Sequence, residues 1–231
     1  MKMLKSLLMT SALSLLAHAS VQAAPPPPQP HVGSWEIAGQ FDPTLNPFEV
    51  WSYGYKDAAD CTGPFVKFTN AVSRSWSGQT LTGWRRGPNG NDNASLPEVM
   101  QTTPNTMTSP MALSPKGLTM HPGQEGQCAT VRFTVPEKGK YRLDGRFWAQ
   151  NNSAGGTNTS TMVVRTPFGS SGFVLLDTGN VIRPGAPSSN PFHILSVQLN
   201  VGDTVDFMVG SNGNFTSDST GLHGYIELLT P

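Results

Sequence analysis

Trp51, Tyr53 and Tyr55 alternate in the segment Phe48 to Tyr55, FEVWSYGY. Side chains two residues apart share one face of a strand, so the three rings form a row. A pyranose ring offers apolar C–H surface to a π cloud and hydroxyls to nearby polar groups, so an exposed row of this kind suits a sugar. Covered by a second sheet, the same row is core. Trp84 is the second candidate: it stands beside Arg85 and Arg86 and just ahead of a Gly/Asn turn containing Asn89, where an exposed ring and donors would sit together. Trp76 and Trp148 are further aromatic candidates.

Catalytic chemistry has less to build on. His18, His31, His121, His193 and His223 stand in no H-E-x-x-H pattern, and no G-x-S-x-G nucleophile signature occurs. Glu36, Glu49, Asp57, Asp60, Asp177 and Asp206 are dispersed. A glycosidase needs two carboxylates roughly 5 to 9.5 Å apart, and spacing along this chain nominates no such pair. No catalytic or metal-ligating residues are therefore assigned. The oxygen-rich stretch from Asp203 to Asp218 could hold calcium, but Gly202-Asp203-Thr204 and Asp218-Ser219-Thr220-Gly221 also read as ordinary turns. Cys61 and Cys128 are the only cysteines. In an oxidising compartment the default is a disulfide between them.

The elements that must position these residues are strands. Cys128 to Val135 (CATVRFTV) alternates, with Ala129, Val131, Phe133 and Val135 on one face. Pro136 to Gly139 reads as a turn, and Lys140 to Ala149 resumes the alternation. Further strands are expected at 34–38, 65–69, 79–85, 161–165, 172–176, 194–199, 204–209 and 222–229. Residues 86 to 112 read as a long irregular connection rich in Pro, Asn and Thr, and 151 to 158 as a soft Asn/Ser/Gly loop. About ten short strands separated by turn signals predict an all-β fold, a two-sheet antiparallel β-sandwich or jelly roll.

Composition narrows the partners. Charged residues make up 13% of the chain, with 24 Gly, 20 Pro and a formal net charge of zero. The basic stripe of a nucleic-acid binder is absent. Lys2 and Lys5, the apolar run Leu7 to Ala17, and Val21-Gln22-Ala23 read as a secretory signal peptide over residues 1–23. The apolar run is shorter than the ~20 residues of a spanning helix, so no membrane insertion is expected. The proline run in 24–31 reads as a stiff spacer, and 32–231 as one β-sandwich domain.

Three blocks resemble a β-sandwich domain of exported, largely uncharacterised bacterial proteins. They are Asn46-Pro47 with Val50 to Tyr55; His121-Pro122-Gly123 with Ala129 to Pro136 and Gly139 to Tyr141; and Leu199 to Phe207 with Asn212 to Asn214 and Asp218 to Leu222. The resemblance implies a carbohydrate-binding-like jelly roll. This chain departs from the pattern at Phe48-Glu49, where the family has a polar residue and glycine, so a different turn is expected before Trp51. The combined expectation is a secreted (extracellular or periplasmic) non-catalytic module that binds a glycan or polysaccharide. Trp84, Arg85, Trp51, Tyr53 and Tyr55 are the candidate ligand-binding residues. A structural or adhesive surface protein and a polysaccharide hydrolase are the alternatives.

Overall fold

A computed structural model describes residues 33–76, 79–89, 92–102, 117–151, 156–185 and 188–231. The leader and spacer expected over 1–31 lie outside them, as do residues 103–112 of the long connection. The fold is a two-sheet antiparallel β-sandwich, and its topology explains why alternation was the right signal.

The strands from residue 118 onward form the frame. They are β7 (Leu118–His121), β8 (Cys128–Thr134), β9 (Gly139–Ala149), β10 (Thr157–Thr166), β11 (Val174–Arg183), β12 (Ser189–Leu199), β13 (Thr204–Gly210) and β14 (Thr220–Thr230). Their order is β12-β9-β14-β7 in the first sheet and β11-β10-β13-β8 in the second. Each outer strand pair is continued by the next inner one, which is the double Greek key of a jelly roll.

The N-terminal part extends both sheets. β1 (Ser34–Glu36) pairs with β14, while β4 (Asn70–Trp76), β5 (Gln79–Arg85) and β6 (Glu98–Thr102) continue the first sheet beyond β7. β2 (Trp51–Lys56) and β3 (Phe65–Lys67) continue the second beyond β8. Two elements inside the expected irregular stretch are thus ordered: β6, and a short 3-10 turn at Asn93–Ser95 capped by the Asp92 carboxylate. β6 escaped pattern reading because both of its faces are buried, which removes the alternation. Before Trp51, Phe48 and Trp51 exchange backbone hydrogen bonds, and Glu49 holds a left-handed φ of 50°.

The core lies between the sheets. Trp51, Tyr53, Val131, Phe133, Phe207 and Val209 come from one side, and Trp84, Val99, Leu143, Phe147, Leu222 and Ile226 from the other. A second, smaller cluster of Cys61, Cys128, Val164 and Met208 sits on the outer face of the second sheet. That face carries an open groove.

Candidate functional site

The aromatic row of β2 faces inward. Trp51 and Tyr53 are fully buried and Tyr55 is half-buried. The Trp51 ring packs 5.3 Å from Phe133, and its Nε1 donates to Gln40 Oε1 at 3.1 Å. Burial pushes the Tyr53 phenol well above the usual tyrosine range, and Tyr55 lies against Phe68 with ring centroids 5.6 Å apart. No open platform forms here, because Trp51↔Phe133 and Tyr53↔Val131 are register partners on the core face.

Trp84, expected at the surface, must be corrected in the same way. It pairs with Val99 on the inner face of the first sheet, retains 5% exposure, and donates Nε1–H to Asp42 O at 2.8 Å. Arg85 points to the opposite face but is also buried. It pairs with Glu98 at 2.7 Å and donates to the carbonyls of Asn89 and Asp92. Glu98, fully buried, also takes Arg74 at 2.5 Å. Arg85 therefore anchors a loop from beneath and is held away from solvent. The expected cysteine pair is bridged, Cys61 to Cys128.

The groove is built from residues that pattern reading passed over. The other face of β2 carries Ser52, Gly54 and Lys56, aligned with Arg132, Thr130 and Cys128 of β8. After β2 the chain turns back over this face, and the Cys61–Cys128 bridge clips it onto Val164 and Met208. Thr62, Gly63, Pro64 and Phe65 then form one wall of an open groove with a volume of ≈ 510 Å³. The facing wall is the β10–β11 connection, with Pro167, Phe168 and Phe173.

Phe65 lies across β2 because Gly54 has no side chain: a Cβ there would stand 2.6 Å from the Phe65 ring. The opposite wall depends on Asp203. Burial opposes ionisation of this carboxylate, yet the N–H groups of Asn200 and Phe168 and the Arg165 guanidinium hold it below the ordinary range. Phe168 N–H donates to Asp203 Oδ1 at 2.9 Å, and the ring beyond it remains 79% exposed. It passes over Gly202, where φ is 81° and an added Cβ would stand 2.9 Å from the ring, so the position suits glycine. Both Asp203 oxygens accept hydrogen bonds, Oδ1 from the Phe168 N–H and Oδ2 from Arg165 and the Asn200 N–H.

The floor is charged. Asp206 is fully buried and accepts a forked pair of bonds from Arg132, Nε to Oδ1 at 2.7 Å and Nη2 to Oδ2 at 2.8 Å. Lys56 Nζ stands 3.2 Å from the same Oδ2. The Arg132 guanidinium lies 4.0 Å over the Phe65 ring, so floor and wall support each other. Hydroxyls of Thr62, Thr166, Ser170, Ser171 and Thr204 complete the lining. Among the described residues, no carboxylate belongs to the lining of the groove.

The sequence did carry one signal for this site. Pro167-Phe168-Gly169-Ser170-Ser171-Gly172-Phe173 places two phenylalanines in a Gly/Ser turn, where burial is not expected. A smaller depression of ≈ 250 Å³ on the outer face of the first sheet is lined by Asp144, Arg146, His193, His223 and Tyr225, with His193 Nδ1 3.0 Å from Asp144. Among the described residues, no group of three or more His, Cys, Asp or Glu side chains gathers as metal ligands.

No family model matches the chain, and no curated protein matches it. Among solved structures it is similar to the enzymatically active domain of bacteriophage CBA120 tailspike protein 4 (13% identity, TM-score 0.38), covering 87% of this chain and 22% of that one. It is also similar to the carbohydrate-binding module CBM6cm-2 of Cellvibrio mixtus lichenase 5A in complex with cellotriose (13% identity, TM-score 0.29, 57% of this chain, 97% of that one). A third is the Podospora anserina GH26-CBM35 β-(1,4)-mannanase (16% identity, TM-score 0.30, 60% of this chain, 27% of that one). At these scores the likenesses carry no weight for function.

Proposed function

We propose that this protein is a secreted, non-catalytic module that binds carbohydrate in the groove between residues 62–65 and 167–173. The observation that carries the reading is the set of phenylalanines on both walls, Phe65 facing Phe168 and Phe173, above a floor of hydrogen-bond donors. Apolar walls accept the C–H faces of a sugar ring, and the polar floor fixes its orientation. A leader over residues 1–23 and a spacer over 24–31 would deliver the sandwich to an oxidising compartment, where the Cys61–Cys128 bridge persists.

A polysaccharide pull-down with the purified protein tests this. Phe168→Ala is expected to reduce retention at least ~10-fold while leaving stability within ~0.5 kcal/mol, because the ring is largely in solvent. Retention unchanged by Phe168→Ala would place any binding elsewhere. Failure to bind any polysaccharide would sink the reading.

One observation favours the structural or adhesive alternative. β11 is an edge strand, pairing only with β10 among the described strands, and its Val174 and Leu175 are about half exposed. An open edge bearing apolar side chains is a template for pairing with another chain.

A further inference from the structure

We infer that the groove selects acidic saccharides, those carrying a carboxylate or a sulfate; this rests on the glycan-binding reading above. The argument is a charge balance. Lys56 from β2 and Arg132 from β8 are the charged residues lining the groove, and both are cationic. The anion facing them is Asp206 of β13, buried beneath and shared by both. Arg165 of β10 and Asp203 of the β12–β13 turn neutralise each other at the groove's end. Asp60, on the covering segment, turns its carboxylate to the N–H and hydroxyl of Thr62 at 3.0 and 2.7 Å and is not part of the lining. Two cations against one carboxylate leave the floor with one surplus positive charge.

The hydrogen-bond inventory points the same way. An ammonium has three N–H donors and a guanidinium five, and neither accepts. Asp206 takes Nε and Nη2 of Arg132, leaving Nη1, and one approach from Lys56, leaving further ammonium donors. The two cationic side chains only donate and so complement a group that only accepts, which a saccharide supplies as a uronate carboxylate or a sulfate, while the lining hydroxyls serve either role. A neutral sugar carries no charge to pair with these two cations. The walls add the second requirement, an apolar ring face beside the anion, and a pyranose uronate or sulfate ester meets both.

The test compares two matched pairs by calorimetry with the purified protein: oligogalacturonate against its methyl ester, and dextran sulfate against dextran. The acidic member of at least one pair is expected to bind at least ~10-fold more tightly at low salt, the gap narrowing as salt screens it. Lys56→Met, which leaves Asp206 paired with Arg132, is expected to narrow the gap, whereas Phe168→Ala weakens acidic and neutral ligands alike. A thermal melt verifies that each variant is folded, and Lys56→Gln serves if the methionine variant is not. Equal affinity within both pairs overturns the acidic selectivity and leaves glycan binding standing. No binding to any of the four removes both readings. Acidic binding that survives Lys56→Met but is lost in Arg146→Ala would assign the anion to the outer face of the other sheet and overturn the inference.

Discussion

At the scale of single residues, burial decides what each polar group can do. Asp203 is held ionised by Arg165 and backbone donors, and Asp206 is held in place by Arg132 and Lys56, so both shape the groove from beneath. Asp218 differs. Its Oδ1 accepts the Asn158 N–H at 2.9 Å, while Oδ2 is buried with no partner. Burial raises this carboxyl from 3.8 to about 7, with the Asn158 bond pulling back only in part. The folded chain therefore holds this proton more tightly than the unfolded chain does. The associated stability is fully present below about pH 4, declines as pH rises, and is lost above about pH 7. Urea midpoints at about pH 4.5 and about pH 8 should fall more for the natural protein than for Asp218→Asn. Equal slopes for the two proteins would show that Asp218 titrates normally.

At the scale of elements, β5 and the covering segment each have a separate job. Trp84 fastens β5 to the segment around Asp42 through its ring nitrogen and fills the core beneath. Trp84→Ala should cost about 3–5 kcal/mol, read from denaturant midpoints. Because β5 belongs to the first sheet and the groove to the second, the fraction still folded should bind ligand normally. The disulfide works on the groove itself. It closes a segment of 67 residues, which in the chain-entropy model stabilises the fold by roughly 4 kcal/mol. It also pins Thr62 to Phe65 as a wall. Replacing both cysteines by alanine should therefore lower stability and weaken glycan retention together, a pairing that Trp84→Ala lacks.

At the scale of the whole molecule, the jelly roll leaves β11 and β3 as the edges of the second sheet, and β12 and β4 as the ends of the first. β3 has three residues, whereas β11 has ten and carries exposed Val174 and Leu175. Short edges are protected and long apolar ones are not. If the adhesive reading holds, light scattering should detect oligomers that Val174→Lys disperses without changing the melt. A monomer at all concentrations would exclude pairing through this edge. The groove and the edge lie on the same sheet, so glycan titration during the same measurement separates their contributions.

The sequence by itself determined the β-class, most strands of the jelly roll and the cysteine bridge. Period-two alternation reports directly which side chains a sheet must hide, and CATVRFTV could hide Val131 and Phe133 in only one way. It also determined that Trp51, Tyr53 and Tyr55 share a face, but not which solvent that face meets. That answer needed the second sheet, because alternation is identical for a strand looking into a core and for one looking into a groove. β6, buried on both faces, gave no alternation at all. The site itself was decided by tertiary structure alone: Lys56, Phe65, Arg132, Phe168 and Asp206 come from five separate stretches of chain. Only the pairing of β2, β8, β13 and β10, with a disulfide-clipped segment folded over them, brings those five together.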